Sequence, residues 1–466
     1  MGLYKKICKN KKQIFCWIIF ILYIAINLIL MLKHEPWRDE IHAWLIAKKL
    51  SIPELFTQSK FDGHPILWHL ILMPFAKLNF PIITLNIISL IIMIISTWIF
   101  IFKTKINMLL KTFATLFIPF TYFFTAISRN YCLIILILMI IGIVYEKRYQ
   151  NIIIYSLLIC LLIHTHALAW GIVAGLTITF HFYEIYLYLK GKRNKANMRK
   201  ILIGLFFIIL NTLIVIFELI GSTNINCNSI VGKNDQMVYY AIFIQILILL
   251  FILIYNLIVY KKFFKEYLVL FFGFLFQIII YIFYYPVVLS QRIILIYSYL
   301  IFYMIIKSAS TGEKEEFKQK ILECVCIAII FIYSFQTYME NIYLDYNINY
   351  SSAQQMGEYI NENIPKGTEI LMEAAIIEQT VIPYVDESYT FYDITNNEEV
   401  TAANVADDED EFVKALNKII LYKGSYIILC REYKEKVNSE IYSHLKQLYE
   451  TEDSIVHENY KIYYIE

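Results

Sequence analysis

The sequence predicts a polytopic α-helical membrane protein that ends in a small α/β domain, and three observations predict it. Hydrophobic residues make up 59% of the 466 positions and charged residues 17%. Long apolar runs recur from Ile14 to about Tyr338. From Asn341 onward, charged and turn residues replace them abruptly. The domains follow as 1–338 for the membrane region and 341–466 for the soluble one. The formal net charge of +2 is segregated by loop, so it points to no acidic partner and no nucleic acid.

The first run, Gln13 to Leu32, carries no charge and follows Lys5, Lys6, Lys9, Lys11 and Lys12. That order reads as a helix inserted with its N-terminus in the cytoplasm. The flank Lys33-His34-Glu35-Pro36-Trp37 lacks the small-residue pattern of a cleavage site, so no signal peptide is expected to be removed. Basic loops stay cytoplasmic. Lys190 to Lys200 is the clearest, followed by Lys103 to Lys111, Lys147-Arg148, Lys261 to Lys265 and Lys307 to Lys320. Placing these inside puts Ser128 to Tyr131, His164 to His166, Gly221 to Met237, Gln291-Arg292 and everything after Tyr338 outside.

The scheme gives about eleven spans, near 14–32, 80–102, 112–128, 130–146, 151–163, 167–189, 201–220, 238–260, 267–285, 292–306 and 321–338. Residues 64–79 are apolar but short, and Pro74 is expected to interrupt a helix there, so a short or half-inserted helix fits. The expected location is the cell membrane, multi-pass, with the C-terminal domain extracytoplasmic.

In that domain, apolar spacing in Ala353 to Ile360 and Glu411 to Ile420 predicts amphipathic helices. Glu369 to Met372, Tyr426 to Cys430 and Tyr460 to Ile465 read as strands. Such alternation over about 120 residues makes a small α/β domain of ordinary size. The acidic run Asp407 to Glu411 lacks the alternating ligands of a calcium loop and reads as a solvated helix N-terminus. The eight cysteines show no CxxC or Cys/His spacing; Cys227 and Cys430 are expected to face the outer side, and buried apolar cysteine is the plainer reading of the set.

The polar residues expected on the outer face carry the chemistry. The segment Glu35 to Trp44 sets Arg38, Asp39, Glu40 and His42 straight after the first span. Asp39 can take a proton from an attacking hydroxyl. Glu40 cannot share its direction, because neighbours on a helix point about 100° apart. His42 can bond a carboxylate, a substrate hydroxyl or a lipid headgroup, or stand at the interface with no role. Asp62 and His64 open the next apolar stretch. Arg129 and Arg292 are lone arginines where outer loops enter apolar helices, and a guanidinium there needs an anion or water. Phosphate matches its planar fork, and snorkelling to lipid headgroups is the plainer alternative. His164 and His166, two apart, would diverge on a helix and suggest no metal.

The ordered set Asp39-Glu40, His64-Pro65-Ile66-Leu67, Arg129-Asn130-Tyr131 and Arg292 resembles the GT-C glycosyltransferases of the protein O-mannosyltransferase and lipid A aminoarabinose transferase type. The resemblance covers roughly residues 10–310. It departs at Ile66, where the usual element has a second proline, and at Ile293, where a tyrosine or proline often follows the late arginine. It implies a polyprenyl-phosphate sugar donor and transfer with inversion to an acceptor hydroxyl of a protein, wall polymer or glycolipid. Asp39 would be the base. His64, Arg129 and Arg292 would hold the departing phosphate, with Arg38, Glu40, His42, Asp62 and Tyr131 completing substrate binding among membrane lipids. It implies no cofactor and no obligatory metal, though it leaves a divalent ion open. A lipid or oligosaccharide transporter or flippase is the alternative from another class, and it would be expected to show internal repeats and midplane charges.

Overall fold

The computed structural model describes the backbone of residues 2–62, 64–116, 120–193, 195–219, 236–258, 263–283, 289–311, 321–322, 324–328, 339–340, 342–400, 409–431, 433 and 435–466. Most described residues before 340 are helical: α1 (Gly2–Lys33), α2 (Arg38–Lys49), α3 (Ile52–Asp62), α4 (Leu67–Lys77), α5 (Ile83–Lys103), α6 (Met108–Leu116), α7 (Tyr131–Tyr145), α8 (Ile152–Ile163), α9 (Trp170–Thr177), α10 (Tyr183–Leu189), α11 (Lys195–Leu219), α12 (Gln236–Ile258), α13 (Phe264–Phe283) and α14 (Leu289–Thr311).

Four helical stretches among the described residues are long and apolar enough to cross a bilayer: Asn10–Lys33, Ile83–Lys103, Ala167–Leu189 and Asn197–Leu219. Their outward residues are apolar too, as Ile14, Ile18 and Ile21 on α1 and Phe206, Leu213 and Phe217 on α11 are all exposed. An apolar exterior belongs in lipid. Among the described residues, four stretches therefore meet that length, where about eleven spans were expected. α7 and α8 have 15 and 12 residues, about 22 and 18 Å at 1.5 Å per residue, against a hydrocarbon core of about 30 Å.

Two expectations need correction. The span expected at 112–128 is not one helix: α6 ends at Leu116 and Phe120 to Ala126 form turns, with residues 117–119 outside the description. The turns are held locally, since Tyr122 O accepts from Ala126 N and Ile127 N and the Thr121 hydroxyl donates to Thr115 O at 2.8 Å. Pro74 does not end its helix either, because α4 runs through it to Lys77. A proline removes one backbone donor, and the remaining turns can carry the helix past it.

Two compact units emerge, one of Met1–Leu28, Phe56–Leu67 and Ser89–Met339, the other of Ile29–Leu55, Trp68–Ile88 and Glu340–Glu466. In the first, Tyr23 donates to Phe120 O at 3.0 Å, and Lys111 closes the end of α5 by donating to Ile101 O and Thr104 O at 2.7 and 2.8 Å. Gly171 and Gly175 bring α9 against α13. A Cβ on Gly171 would lie 2.5 Å from Phe272 O, and one on Gly175 would lie 2.6 Å from Val269 Cα. Small residues four apart permit such backbone approach.

The second unit contains a six-stranded sheet in the order β3-β2-β1-β4-β6-β5, built from β1 (Glu369–Met372), β2 (Thr390–Asp393), β3 (Glu398–Glu399), β4 (Tyr426–Leu429), β5 (Leu445–Glu450) and β6 (Lys461–Ile465). β1 pairs in parallel with β2 and β4, and the remaining pairs are antiparallel. Both faces are buried in alternation. Ile370, Met372, Ile428 and Ile462 pack on one side with the Ala353–Asn363 helix, while Leu371, Ile427, Leu429 and Tyr463 pack on the other with the Glu409–Leu416 helix. The predicted helices and three strands are present. β2, β3 and β5 are additional. Of the acidic run, Glu409, Asp410 and Glu411 lie in the first turn of the Glu409–Leu416 helix, and Asp407 and Asp408 lie outside the described residues.

Candidate functional site

In the first unit, turns and not helix interiors bring the polar side chains together. Arg129 and Asn130 end the turn-rich stretch ahead of α7, and Asn130 ties that corner to the next one by donating to Thr165 O at 3.0 Å. Thr165 in turn anchors its own turn by donating to Leu162 O at 2.7 Å. His166 follows. Its Nδ1 accepts from Leu168 N at 3.0 Å, capping the short 3₁₀ turn Ala167–Ala169.

Four side chains converge there. Arg129 Nη2 lies 3.1 Å from His64 Nε2. The His64 and His166 rings are 4.8 Å apart, and the His166 and Tyr131 rings 5.1 Å. The Arg129 guanidinium is 5.8 Å from the Tyr131 ring centroid. A guanidinium only donates, so His64 accepts through Nε2 and is a neutral imidazole with its proton on Nδ1. The same logic leaves neutral His166 with its proton on Nε2. The cluster therefore combines one permanent cation with ring N–H groups, a set suited to oxyanions.

His166 was set aside in the sequence, where His164-Thr165-His166 was weighed only as a metal pair. The two rings do diverge, since His164 Nε2 bonds Asn211 Oδ1 at 2.8 Å. No group of three metal-ligating side chains occurs among the described residues.

In the second unit, α2 splits the acidic pair. Asp39 is part-exposed, 3.8 Å from Arg38 Nε. Glu40 is completely buried. Its Oε2 accepts from Trp37 N at 3.1 Å and lies 3.0 Å from His34 Nε2. His34 Nδ1 lies 3.0 Å from Asp345 Oδ2. Burial opposes charging this imidazole, but Glu40 and Asp345 on its two sides outweigh that, and its pKa rises to about 10. His34 is thus an imidazolium clamped between two carboxylates, a role that sequence reasoning missed because Asp345 is 311 positions away.

His42 is buried on α2. Arg292 falls in the first turn of α14 and Asp62 is the last residue of α3; the side chains of both lie outside the described residues. No family profile and no curated protein matches this chain.

Proposed function

We propose that this membrane protein is a glycosyltransferase that moves a sugar from a polyprenyl-phosphate donor to an acceptor hydroxyl on the outer membrane face. The observation that carries the reading is the bond between His64 and Arg129. Two short motifs 65 positions apart meet, and they present a cation with neutral ring donors, as an anionic leaving group requires. In this reading the helical region crosses the bilayer about eleven times, with the N-terminus cytoplasmic and the sheet domain outside.

The acceptor oxygen attacks the anomeric carbon from the face opposite the phosphate, so configuration inverts. As the sugar–oxygen bond breaks, its electron pair goes to the phosphate, and Arg129 with the His64 N–H stabilises the growing charge. The phosphate leaves without needing a proton. Asp39 takes the acceptor proton, for which its part-exposed position suits it, whereas Glu40 is committed to His34 and the start of α2. Arg292, Arg38, His42, Asp62 and Tyr131 complete donor and acceptor binding.

The test is transfer from a radiolabelled polyprenyl-phosphate sugar in membranes carrying the protein. Asp39→Asn keeps size and hydrogen-bonding reach but removes the base, so transfer should fall by about 10²- to 10⁴-fold with donor binding kept. Glu40→Gln should instead reduce the amount of folded protein. Native transfer by the Asp39 variant overturns the assignment of the base. Flipping of the donor without any transfer supports a transporter in place of an enzyme.

A further inference from the structure

Helix α2 begins with a deficit. Its N-cap position is Trp37, whose indole has a donor and no acceptor, so the first free backbone N–H of the helix finds nothing in its own segment. The acceptor comes from Glu458, in the connection between β5 and β6. Arg38 N lies 3.2 and 3.3 Å from its two carboxylate oxygens. The exchange is mutual, because Gln354 N, in the first turn of the Ala353–Asn363 helix, donates to Glu35 Oε1 at 2.7 Å. Each helix start is capped by a carboxyl group from the other's neighbourhood.

Glu458 is firmly placed. Its own N–H donates to Ser454 Oγ at 2.8 Å, its carbonyl accepts from Ser352 N at 3.2 Å, and Asn459 Oδ1 accepts from Ser454 N at 2.9 Å. The left-handed backbone of His457, with φ of 57°, lets the chain turn there.

We propose that Glu458 is a positioning residue for Asp39. The inference rests on the reading of Asp39 as the base. By bonding the first residue of α2, Glu458 fixes the turn that carries Asp39 as its second residue, and it steers the Arg38 guanidinium, whose Nε lies 4.0 Å from Glu458 and 3.8 Å from Asp39. The charged and titratable groups around Glu458 are Arg38 and Asp39 on α2, Glu35 ahead of it, Tyr350 beside it, and Tyr384, Cys430 and Tyr460 from the sheet domain. Burial raises the Glu458 carboxyl to about 7, opposed by hydrogen bonds from Ser351 and Arg38. Ionised, it is the stronger cap, so the grip on α2 tightens as the pH rises through neutrality.

The experiment compares Glu458→Gln and Glu458→Ala with the native chain in the same transfer reaction from pH 5.5 to 8.5, alongside hydrogen exchange at the start of α2. The alanine variant should lower kcat by on the order of 10- to 100-fold, leave the donor KM near native and speed exchange at Arg38 to Glu40. The glutamine variant should keep most of the rate and lose the rise near pH 7, because an amide accepts a hydrogen bond but does not titrate there. A native pH profile in the glutamine variant overturns the proposal, and it remains decisive if the alanine variant fails to fold. Native exchange at α2 in a folded alanine variant also overturns it. If Asp39→Asn itself retains transfer, the reading of the base has failed, and the exchange measurement still tests the cap separately.

Discussion

The cluster around Arg129 and the cluster around His34 handle charge in opposite ways. Arg129 is half-buried, and its Nη2 lies 3.1 Å from the ring nitrogen of His64, which carries no negative charge to oppose it. His34 is sealed at both ring nitrogens by carboxylates whose side chains are at most 1% exposed. A charge answered on every side inside the protein holds structure together. In the proposed function, one bonded to a neutral ring acceptor turns its field to a visiting anion. The contrast divides the acidic pair as well, since Glu40 belongs to the sealed group and Asp39 does not.

The sharpest way to break the comparison is His34→Ala. It strands two buried carboxylates, and losing one partner of such a set typically costs about 3–5 kcal/mol. The second unit should unfold at much lower denaturant, measured by tryptophan fluorescence. A loss no larger than that of a surface substitution would mean the clamp holds nothing. Arg129→Lys comes next. The charge stays but the fork to His64 is lost, so kcat/KM for the donor should fall about 10- to 100-fold, equivalent to about 1.4–2.7 kcal/mol, with the melting temperature nearly unchanged. Equal losses of stability and activity would make Arg129 another structural charge.

The smallest effect concerns Glu35. Burial raises its carboxyl to about 8, with Glu458 and Glu358 adding and the Gln354 N–H and His34 opposing. The fold therefore holds a proton that the unfolded chain, near 4.5, has released. That contribution is complete below pH 4.5 and disappears as the pH rises through about 8. Glu35→Gln should remove this part of the slope, matching the native protein at pH 5 and melting about 2–4 °C higher at pH 9. Parallel melting curves for the two proteins would exclude Glu35 from the pH response.

Local patterns were legible and distant partners were not. The uncharged run after five lysines marked α1, and short apolar runs marked β1, β4 and β6. The 100° step between neighbours separated Asp39 from Glu40 before any coordinates. β5 was hidden because Lys446 and Gln447 break the apolar alternation. His34 read as a flank of the first span, since nothing in its neighbourhood announces Asp345. His166 was obscured by its pairing with His164 in a metal-like spacing; its true neighbours, His64 and Tyr131, arrive through two separate turns. Pro74 misled because the rule for prolines is strict in isolated helices and looser in packed ones.

The bond from Arg38 to Glu458 spans 420 positions, and this gives it a place in time. Ribosomes add about 5–20 residues per second, so roughly 20 to 80 s separate the synthesis of the two partners. For that interval the first turn of α2 lacks the carboxyl that Arg38 N bonds. A chain cut short between Tyr442 and Glu458 would keep every described helix and still lack this closure. The bond thus ties a segment made late to one made 420 positions earlier.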